Sequence, residues 1–493
     1  MADYDVAICG LGPVGQLLAL LLAERDVRTL AFDREPAPYA LPRAAVIDDE
    51  VLRIFQAVGL DQAVLAEVQV QPGASIVTAK NRAVEVFRAR TGKLGHPPLV
   101  SINQPAMEHT MLRTLHDRPS VEIRRELSLD VVDRRADHVD IQIRPTGGGR
   151  SERIIASWLI GCDGAASAVR SRLQIPFEGK TAPQRWIVVD GHVDRPLRKV
   201  PHPHFVGHAE RPIVTLPMSP RRHRWEWMLH PGEDAAPLLA PEAIRAAIAE
   251  WLDGETVEIE RAVVYTFHTR MAARWRRGRV LLAGDAAHVM PPFAGQGFSS
   301  GARDAGNLAW KLDEVLDGAP ASLLDTYEAE RRPHVAAMQR TANMMGGFVQ
   351  STSPHRVKLR DAFLHSLDGS RLQRVLAENV KPLPTYGTGF FATRPARLPH
   401  RRTVGTLFPQ ADRLDDRLGI GWAAVAIDDA SRSVLESQGL LVRKPDQEAE
   451  WLRSNGLTWA ILRPDRFVYA CGTAGDAAAA GAAWRRAGAQ AAA

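Results

Sequence analysis

Residues 5–9 (Asp-Val-Ala-Ile-Cys) form a short apolar run of the kind buried on both faces of a sheet. The run stops at Gly10-Leu11-Gly12-Pro13-Val14-Gly15, and the Leu/Ala-rich stretch 16–25 then predicts a helix. Thr29-Leu30-Ala31-Phe32 predicts a second strand, closed by Asp33. The pattern returns twice: 154–160 ends at Gly161-Cys162-Asp163-Gly164, and 280–283 ends at Gly284-Asp285. Three strands that each finish in a Gly/Asp turn predict an open α/β sheet whose carboxyl ends gather on one ligand.

Between the second and third of these strands the texture changes. Residues 186–190, 213–216 and 225–229 read as strands separated by proline and glycine. A β-rich insertion over 181–262 is therefore expected, as a wall over the ligand. Residues 298–316 predict a long helix with small residues on one stripe (Ala302, Ala305, Gly306, Ala309). Proline and glycine from 382 to 399 mark a linker. Beyond it, strands at 422–427, 459–463 and 467–469 and a helix near 447–454 make a separate small α/β unit with an alanine-rich tail. The expected division is 1–180 and 263–380 for one domain in two parts, 181–262 for the insertion, 381–394 for the linker and 395–493 for the last unit.

Composition narrows the class. A chain of 493 residues, 45% apolar and 24% charged, is that of a globular protein with several domains and excludes disorder, collagen and a small disulfide scaffold. The net charge of +5 is too dilute for nucleic acid, since the arginine pairs are interleaved with acids. Cys9, Cys162 and Cys471 are too scattered for disulfides or a thiolate metal site, which fits a cytoplasmic location. The apolar stretch 11–23 is too short to span a bilayer and follows Asp3 and Asp5, so neither a membrane segment nor a signal peptide is expected.

The first glycine cluster carries a mechanism. Gly10 allows a tight turn, Gly12 lets the backbone approach a pyrophosphate, and Gly15 lets helix and strand close up. Asp33, about 20 residues on and followed by Arg34, is placed to take a ribose hydroxyl. No second fingerprint follows a strand, so the chain is built to hold one dinucleotide.

Together these motifs resemble the FAD-dependent aromatic hydroxylases, single-component flavoprotein monooxygenases that include 4-hydroxybenzoate and phenol hydroxylases. The resemblance spans roughly 3–345 in three ordered motifs: Gly10-x-Gly12-x-x-Gly15, Cys162-Asp163-Gly164-Ala-Ala-Ser167-Ala-Val-Arg170, and Gly284-Asp285-Ala-Ala-His288-Val-Met-Pro291-Pro292. Arg43 and Gln104 match further positions the family uses on FAD. The stretches 274–297, 303–311 and 327–333 look most like 3-(3-hydroxyphenyl)propionate hydroxylases and related polyketide hydroxylases.

The resemblance implies a Rossmann-like FAD-binding domain, an inserted β-sheet substrate domain and a thioredoxin-like carboxyl-terminal domain, the last without a cysteine pair because Cys471 stands alone. It implies bound FAD, with Gly10, Gly12, Gly15, Asp33 and Arg43 toward the ADP half and Arg34 and Gln104 also on the cofactor. Asp163, Gly164 and Arg170 would lie where flavin and nicotinamide meet. Gly284, Asp285, Gly295, Gly297, Phe298 and Ser299 would serve ribityl and isoalloxazine. Some members carry Asn where this chain has Ser299, so for Ser299 only the backbone contact is carried over. Reduced flavin is anionic at one edge and is favoured by a helix amino terminus, which the loop 291–297 leads into. The implied reaction takes NADH or NADPH, dioxygen and a small aromatic substrate through a flavin C4a-hydroperoxide, hydroxylating a phenol ortho to its hydroxyl. Pro292, Asp285 and His288 are the residues nearest that chemistry, although the turn around His288 favours a packing role for it.

Other residues offer less. His202-x-His204-x-x-x-His208 lacks a carboxylate or thiolate to complete a metal site, and flavin makes a metal unnecessary. Trp225 and Trp227, at alternate strand positions, read as one buried face and as candidate pocket wall rather than as a halogenase motif. Tyr265, His268, His230 and His204 are candidates to hold the phenol oxygen. A polyketide or tetracycline-like substrate is the alternative within this chemistry, and a flavin-loaded sensor the alternative outside it. Neither nucleic acid nor membrane is expected as a partner; homodimer formation is left open.

Overall fold

Buried strands of unbroken apolar sequence build the frame. Among the described residues the first sheet runs Val280–Leu282, Glu152–Gly161, Tyr4–Cys9, Thr29–Phe32, Val121–Arg124, all parallel, with Arg276–Arg277 antiparallel at one edge. Tyr4–Cys9 lies between neighbours on both sides, Val6 opposite Trp158 and Thr29, and from Val6 onward its residues are buried. This is why the run 5–9 carries no polar alternation. The computed structural model describes residues 2–41, 43–89, 93–392 and 403–489, with side chains to residue 485.

The helix Pro13–Ala23 leaves the first strand through the glycine turn and buries every residue from Gly15 on. It packs against the helix Gly297–Leu316, whose Ala302, Ala305 and Ala309 are buried as the small-residue stripe predicts. The ends of Tyr4–Cys9, Glu152–Gly161 and Val280–Leu282 are adjacent in this sheet, so the three Gly/Asp turns meet at one edge.

The second sheet is ordered His288–Val289, Val257–Ala272, Phe177–Val193, Arg222–Met228, Ile213–Ser219, His204–Val206, Gly73–Val77, Ala83–Arg88. It differs from the expected insertion at 181–262 in two ways. Its two long strands extend past both limits, pairing from Phe177 with Ala272 to Val193 with Val257. A hairpin from the amino-terminal part, Gly73–Val77 with Ala83–Arg88, completes the far edge by pairing His204 with Ser75 in parallel. Pairing across such distances leaves no local trace in sequence.

The carboxyl-terminal unit has the order Leu441–Arg443, Ala423–Ala426, Trp459–Leu462, Val468–Gly472, the first pair parallel and the others antiparallel. With helices Asp429–Ser437, Glu448–Ser454 and Ala477–Ala489 this is the thioredoxin arrangement. The boundary expected at 394/395 lies outside the described residues. What docks this unit is a fully buried charge cluster. Glu330, on the helix Asp325–Val349, accepts from Arg463 Nη1 and Nη2 at 2.8 and 2.9 Å, from Lys311 Nζ at 2.9 Å and from Asn307 Nδ2 at 2.7 Å. Against the burial that would raise it, Arg463 and Lys311 hold the Glu330 carboxyl down at about 2.

Removing one member of a buried ion cluster leaves its partners uncompensated. Glu330→Ala should therefore cost about 3–5 kcal/mol, read as a lower Tm and as faster proteolysis within 403–489. Because the folded carboxyl titrates below its unfolded value, its contribution is present above about pH 4.5 and lost as pH falls toward about 2. An unchanged Tm near neutral pH would deny the cluster its docking role.

Candidate active site

The first glycine turn owes its shape to two close approaches. Gly10 adopts φ +104°, and a Cβ there would stand 2.5 Å from the Cys162 carbonyl oxygen. A Cβ on Gly15 would overlap the Gly10 carbonyl. Side chains at these points would push the first strand off the second, or the helix off its turn. Gly12 is the N-cap of the helix, and no side chain caps the first amides. Asp33 reaches back across the turn, accepting from Leu11 N at 2.6 Å and from Glu35 N at 2.9 Å.

A cavity of about 1060 Å³ opens from this turn. Gly10, Gly12, Asp33, Arg34, Arg43, Gln104, Asp163, Gly164, Asp285, Pro292, Gly295, Gly297 and Phe298 all line it. Gln104 Oε1 accepts from the Arg43 and Ala44 amides, and its Nε2 donates to Glu108 Oε1 at 2.6 Å, so it fixes the loop around Arg43. Burial pushes the Glu108 carboxyl up to about 7. Asp163 Oδ2 accepts from Val169 N, whereas its Oδ1 is buried without a hydrogen-bond partner among the described residues. Asp285 is exposed to the cavity yet deep in the protein, and that burial pushes its carboxyl up, with His288 and Arg43 acting against the shift.

The loop 291–297 is locked from behind. Gln296 Nε2 donates to Asp48 Oδ2 at 3.1 Å and its Oε1 accepts from Arg303 Nη1 at 3.0 Å. Arg303 and Lys381 both pair with Asp48 and with Glu50. Gln296 is the N-cap of the helix Gly297–Leu316 without capping it through its side chain, so the first amides of that helix remain available where Gly297 and Phe298 meet the cavity.

Several expected site residues stand behind this wall instead. Among the described residues, Gly15, Arg170, Gly284, His288 and Ser299 do not line the cavity. Arg170 spends its guanidinium on the Ala286 and Ala165 carbonyls at 2.8 and 2.6 Å and lies over the Phe177 ring. His288 is buried and bonded through Nε2 to Asp304 Oδ2 at 2.6 Å, a positioning role rather than the catalytic one considered for it. Asp304 also accepts from Gly284 N at 3.1 Å and from Arg331 Nε at 2.9 Å. Against burial, His288 and Arg331 hold the Asp304 carboxyl below its ordinary range. The Ser299 hydroxyl is fully buried without a partner among the described residues.

The substrate-side candidates need more correction. Strand alternation puts Trp225 and Trp227 on the face of the second sheet away from the cavity, packed with Ile244, Ile248 and Leu252. His204 shares the far face, its ring against His202 at 4.8 Å. Tyr265 is on the near face but does not line the cavity, and neither do His268 or His230. The lining there is Ala74, Phe87, Phe205, Val214, Leu216, Phe293 and Met345, with Arg224 and Glu226 between. Phe293 is backed by the rings of Trp186 and Phe267, both 5.6 Å away. The signal for Arg224 and Glu226 was present in Arg224-Trp-Glu226-Trp227: ionisable residues alternate with aromatics in a strand buried on both faces.

The fold and this cleft define a dinucleotide-binding α/β protein whose ligand meets an apolar chamber against a second sheet. Residues 3–342 match the family described as FAD binding domain. The chain is 34% identical to the 3-(3-hydroxy-phenyl)propionate/3-hydroxycinnamic acid hydroxylase of Escherichia coli O8 (strain IAI1), over 95% of this chain and 92% of that one. Its fold is similar to the flavin-dependent monooxygenase PieE in complex with FAD and substrate (TM-score 0.81, 22% identity, 99% and 100% of the two chains). It is also similar to the anhydrotetracycline hydroxylase OxyS of Streptomyces rimosus (TM-score 0.75, 25% identity, 95% and 96%). The chain belongs to the FAD-dependent aromatic hydroxylase family. The residues present fit that cofactor: an uncapped helix start beside a glycine cradle and a carboxyl at Asp285 face one cavity, which Asp163, with one buried oxygen left unpartnered among the described residues, also lines. Among the described residues no helix is long and apolar enough to cross a membrane.

Losing one charged hydrogen-bonding group from a buried site costs roughly 10- to 100-fold in affinity. Asp285→Ala should lose FAD to that extent, read as flavin absorbance retained after gel filtration, while Trp225→Phe on the far face should retain it. A purified Asp285→Ala protein with full occupancy and turnover would remove Asp285 from the site.

Proposed function

We propose that this flavoprotein uses NADH or NADPH and dioxygen to hydroxylate a small phenolic substrate ortho to its hydroxyl, of the 3-(3-hydroxyphenyl)propionate type. The observation that carries the reading is one continuous cavity running from the glycine turn to the apolar near face of the second sheet. Bound FAD would supply the redox and oxygen-activating chemistry. The chain's part is to hold and to shield. In this reading Gly12 and the helix start behind it take the pyrophosphate, Asp33 and Arg34 the ribose, Arg43 and Gln104 the loop closing on it, and Asp285 the ribityl chain. The amides at Gly297 and Phe298 would face the ring of the bound cofactor and favour negative charge there. Phe87, Phe205, Val214, Leu216 and Phe293 keep water from the reacting carbon, which favours transfer to the ring over decay. In this reading residues 1–180 and 263–380 would hold the flavin, residues 181–262 would wall the substrate together with Phe87 and Phe293 from those parts, and 403–489 form a docked unit.

A fused-ring polyketide substrate is the second reading. The cavity volume favours it, lying just above the roughly 300–1,000 Å³ usual for small-molecule sites, with the cofactor to be housed in the same space.

Stopped-flow reduction of the FAD-loaded protein separates these. 3-(3-Hydroxyphenyl)propionate should accelerate reduction by about tenfold or more and yield a product one oxygen heavier, with a catechol pattern. Acceleration by anhydrotetracycline alone would favour the second reading. Slow NAD(P)H oxidation that no aromatic compound stimulates would favour a sensor and reject both.

A further inference from the structure

None of the aromatic or histidine side chains expected to hold the phenol oxygen lines the cavity, yet a titratable group does. Glu226 lies on Arg222–Met228, between Val188 of one neighbouring strand and Val214 of the other. Its residue is 7% exposed, and what is exposed opens on the cavity. Among the described residues its carboxyl has no hydrogen-bond partner; the nearest charge is Arg224 Nη1 at 3.9 Å.

That arginine is already committed. Arg224 donates Nε and Nη2 to Asp190 at 2.6 and 3.1 Å and Nη1 to the Arg43 carbonyl at 2.9 Å. Arg261, on the next strand, is 3.1 Å from Asp190 Oδ2 and lies over the Tyr265 ring. The charged and titratable groups around Glu226 are thus Arg224 on its own strand, Asp190 on Phe177–Val193, and Arg261 and Tyr265 on Val257–Ala272. The strand on its other side presents Val214 and Leu216 to the cavity. Burial pushes the Glu226 carboxyl up to about 7, with Arg224 acting against the shift and Asp190 reinforcing it. A group so placed changes charge near neutral pH and has a free acceptor aimed at the chamber.

Resting on the hydroxylase reading above, we propose that Glu226 receives the hydroxyl of the phenolic substrate, accepting its hydrogen bond and then its proton. The O–H bond of the phenol breaks as a bond from hydrogen to a Glu226 carboxylate oxygen forms, and the electron pair stays on the phenol oxygen, activating the ring toward oxygen transfer. After oxygen transfer the proton returns to that oxygen while the ring, losing its C–H proton to water, becomes aromatic again. Neither step changes an oxidation state at Glu226. The two guanidinium groups flanking Asp190 favour the negative charge that develops on the phenol oxygen. A substrate carboxylate would be repelled by ionised Glu226, so the hydroxyl edge is the one that faces it.

The test uses the FAD-loaded protein without nicotinamide, so that binding is read apart from turnover. Dissociation constants for 3-(3-hydroxyphenyl)propionate and for 3-phenylpropionate are measured by flavin absorbance perturbation from about two pH units below to about two above the Glu226 midpoint. Wild type should bind the hydroxylated ring about tenfold tighter as pH rises through about 7, with a phenolate difference band, and should bind the unhydroxylated ring without that rise. Glu226→Gln, its flavin spectrum intact, should lose the pH rise, the phenolate band and about tenfold in affinity for the hydroxylated ring only. Glu226→Gln that keeps the wild-type affinity and pH curve, or weakens both rings equally, overturns the assignment while leaving the hydroxylase reading standing. Wild type that binds neither ring overturns that reading, and this assignment with it.

Discussion

The structure depends on how closely backbone can approach backbone at the carboxyl edge of the first sheet. With Gly10 against Cys162, and Gly15 against the Gly10 carbonyl, there is no room for a side chain between the first strand, the strand ending at Gly161 and the helix that follows the turn. That closeness places the start of Pro13–Ala23 and the carboxylates of Asp33 and Asp163 at one cavity wall. The same edge brings in Asp285 from a strand more than a hundred residues further along the chain. The meeting of these separate chain segments at one cavity wall is therefore a consequence of parallel pairing in the order the sheet adopts.

Behind that wall a second layer of buried polar groups keeps the turns in register. Asp304 ties the amide of Gly284, His288 and Arg331 to one point, and Arg331 also donates to the Ser300 carbonyl at 3.1 Å. Arg170 holds the carbonyl of Ala286 from the other side. Residues in the motifs thus divide by what they touch. Some face the cavity, and others hold the loops that do, a division a linear motif does not display. Such support matters because sites that must orient a reacting ring need their own side chains fixed by neighbours.

Legibility in the sequence followed locality. The strands at 5–9, 29–32 and 280–283, the long helix from 298 and three of the four strands described in the carboxyl-terminal unit were readable because each is a short run closed by its own turn, whereas the three-residue strand Leu441–Arg443 was not. The glycine turn was readable because three glycines fall within six residues, two of them, Gly10 and Gly15, where a side chain would collide. The hairpin Gly73–Val77 with Ala83–Arg88 was not, since its place in the second sheet is set by a pairing with His204–Val206 far along the chain. Nor was the direction in which Arg222–Met228 faces. Alternation says that Trp225 and Trp227 share a side, but the choice of side is made by what packs there, and the helix Pro241–Ile248 claims them.

That choice has a chemical consequence. With the tryptophans turned outward onto a helix, the near face receives the other set of side chains from the same strand, Arg224, Glu226 and Met228, alongside Asp190 and Arg261 from its neighbours, and of these Arg224 and Glu226 line the cavity. A sheet face optimised for stability alone would carry apolar residues at these positions, because a buried charge cluster rarely outweighs well-packed hydrocarbon. Here two guanidinium groups and two carboxyls occupy the centre of a face otherwise lined by Val214, Leu216 and Phe205. On the hydroxylase reading proposed above, a polar edge of the bound substrate would offset that cost. The apolar lining and the charged pair thus share one face of the sheet, Val214 beside Glu226 and Leu216 beside Arg224, while the tryptophans hold the other face against the helix.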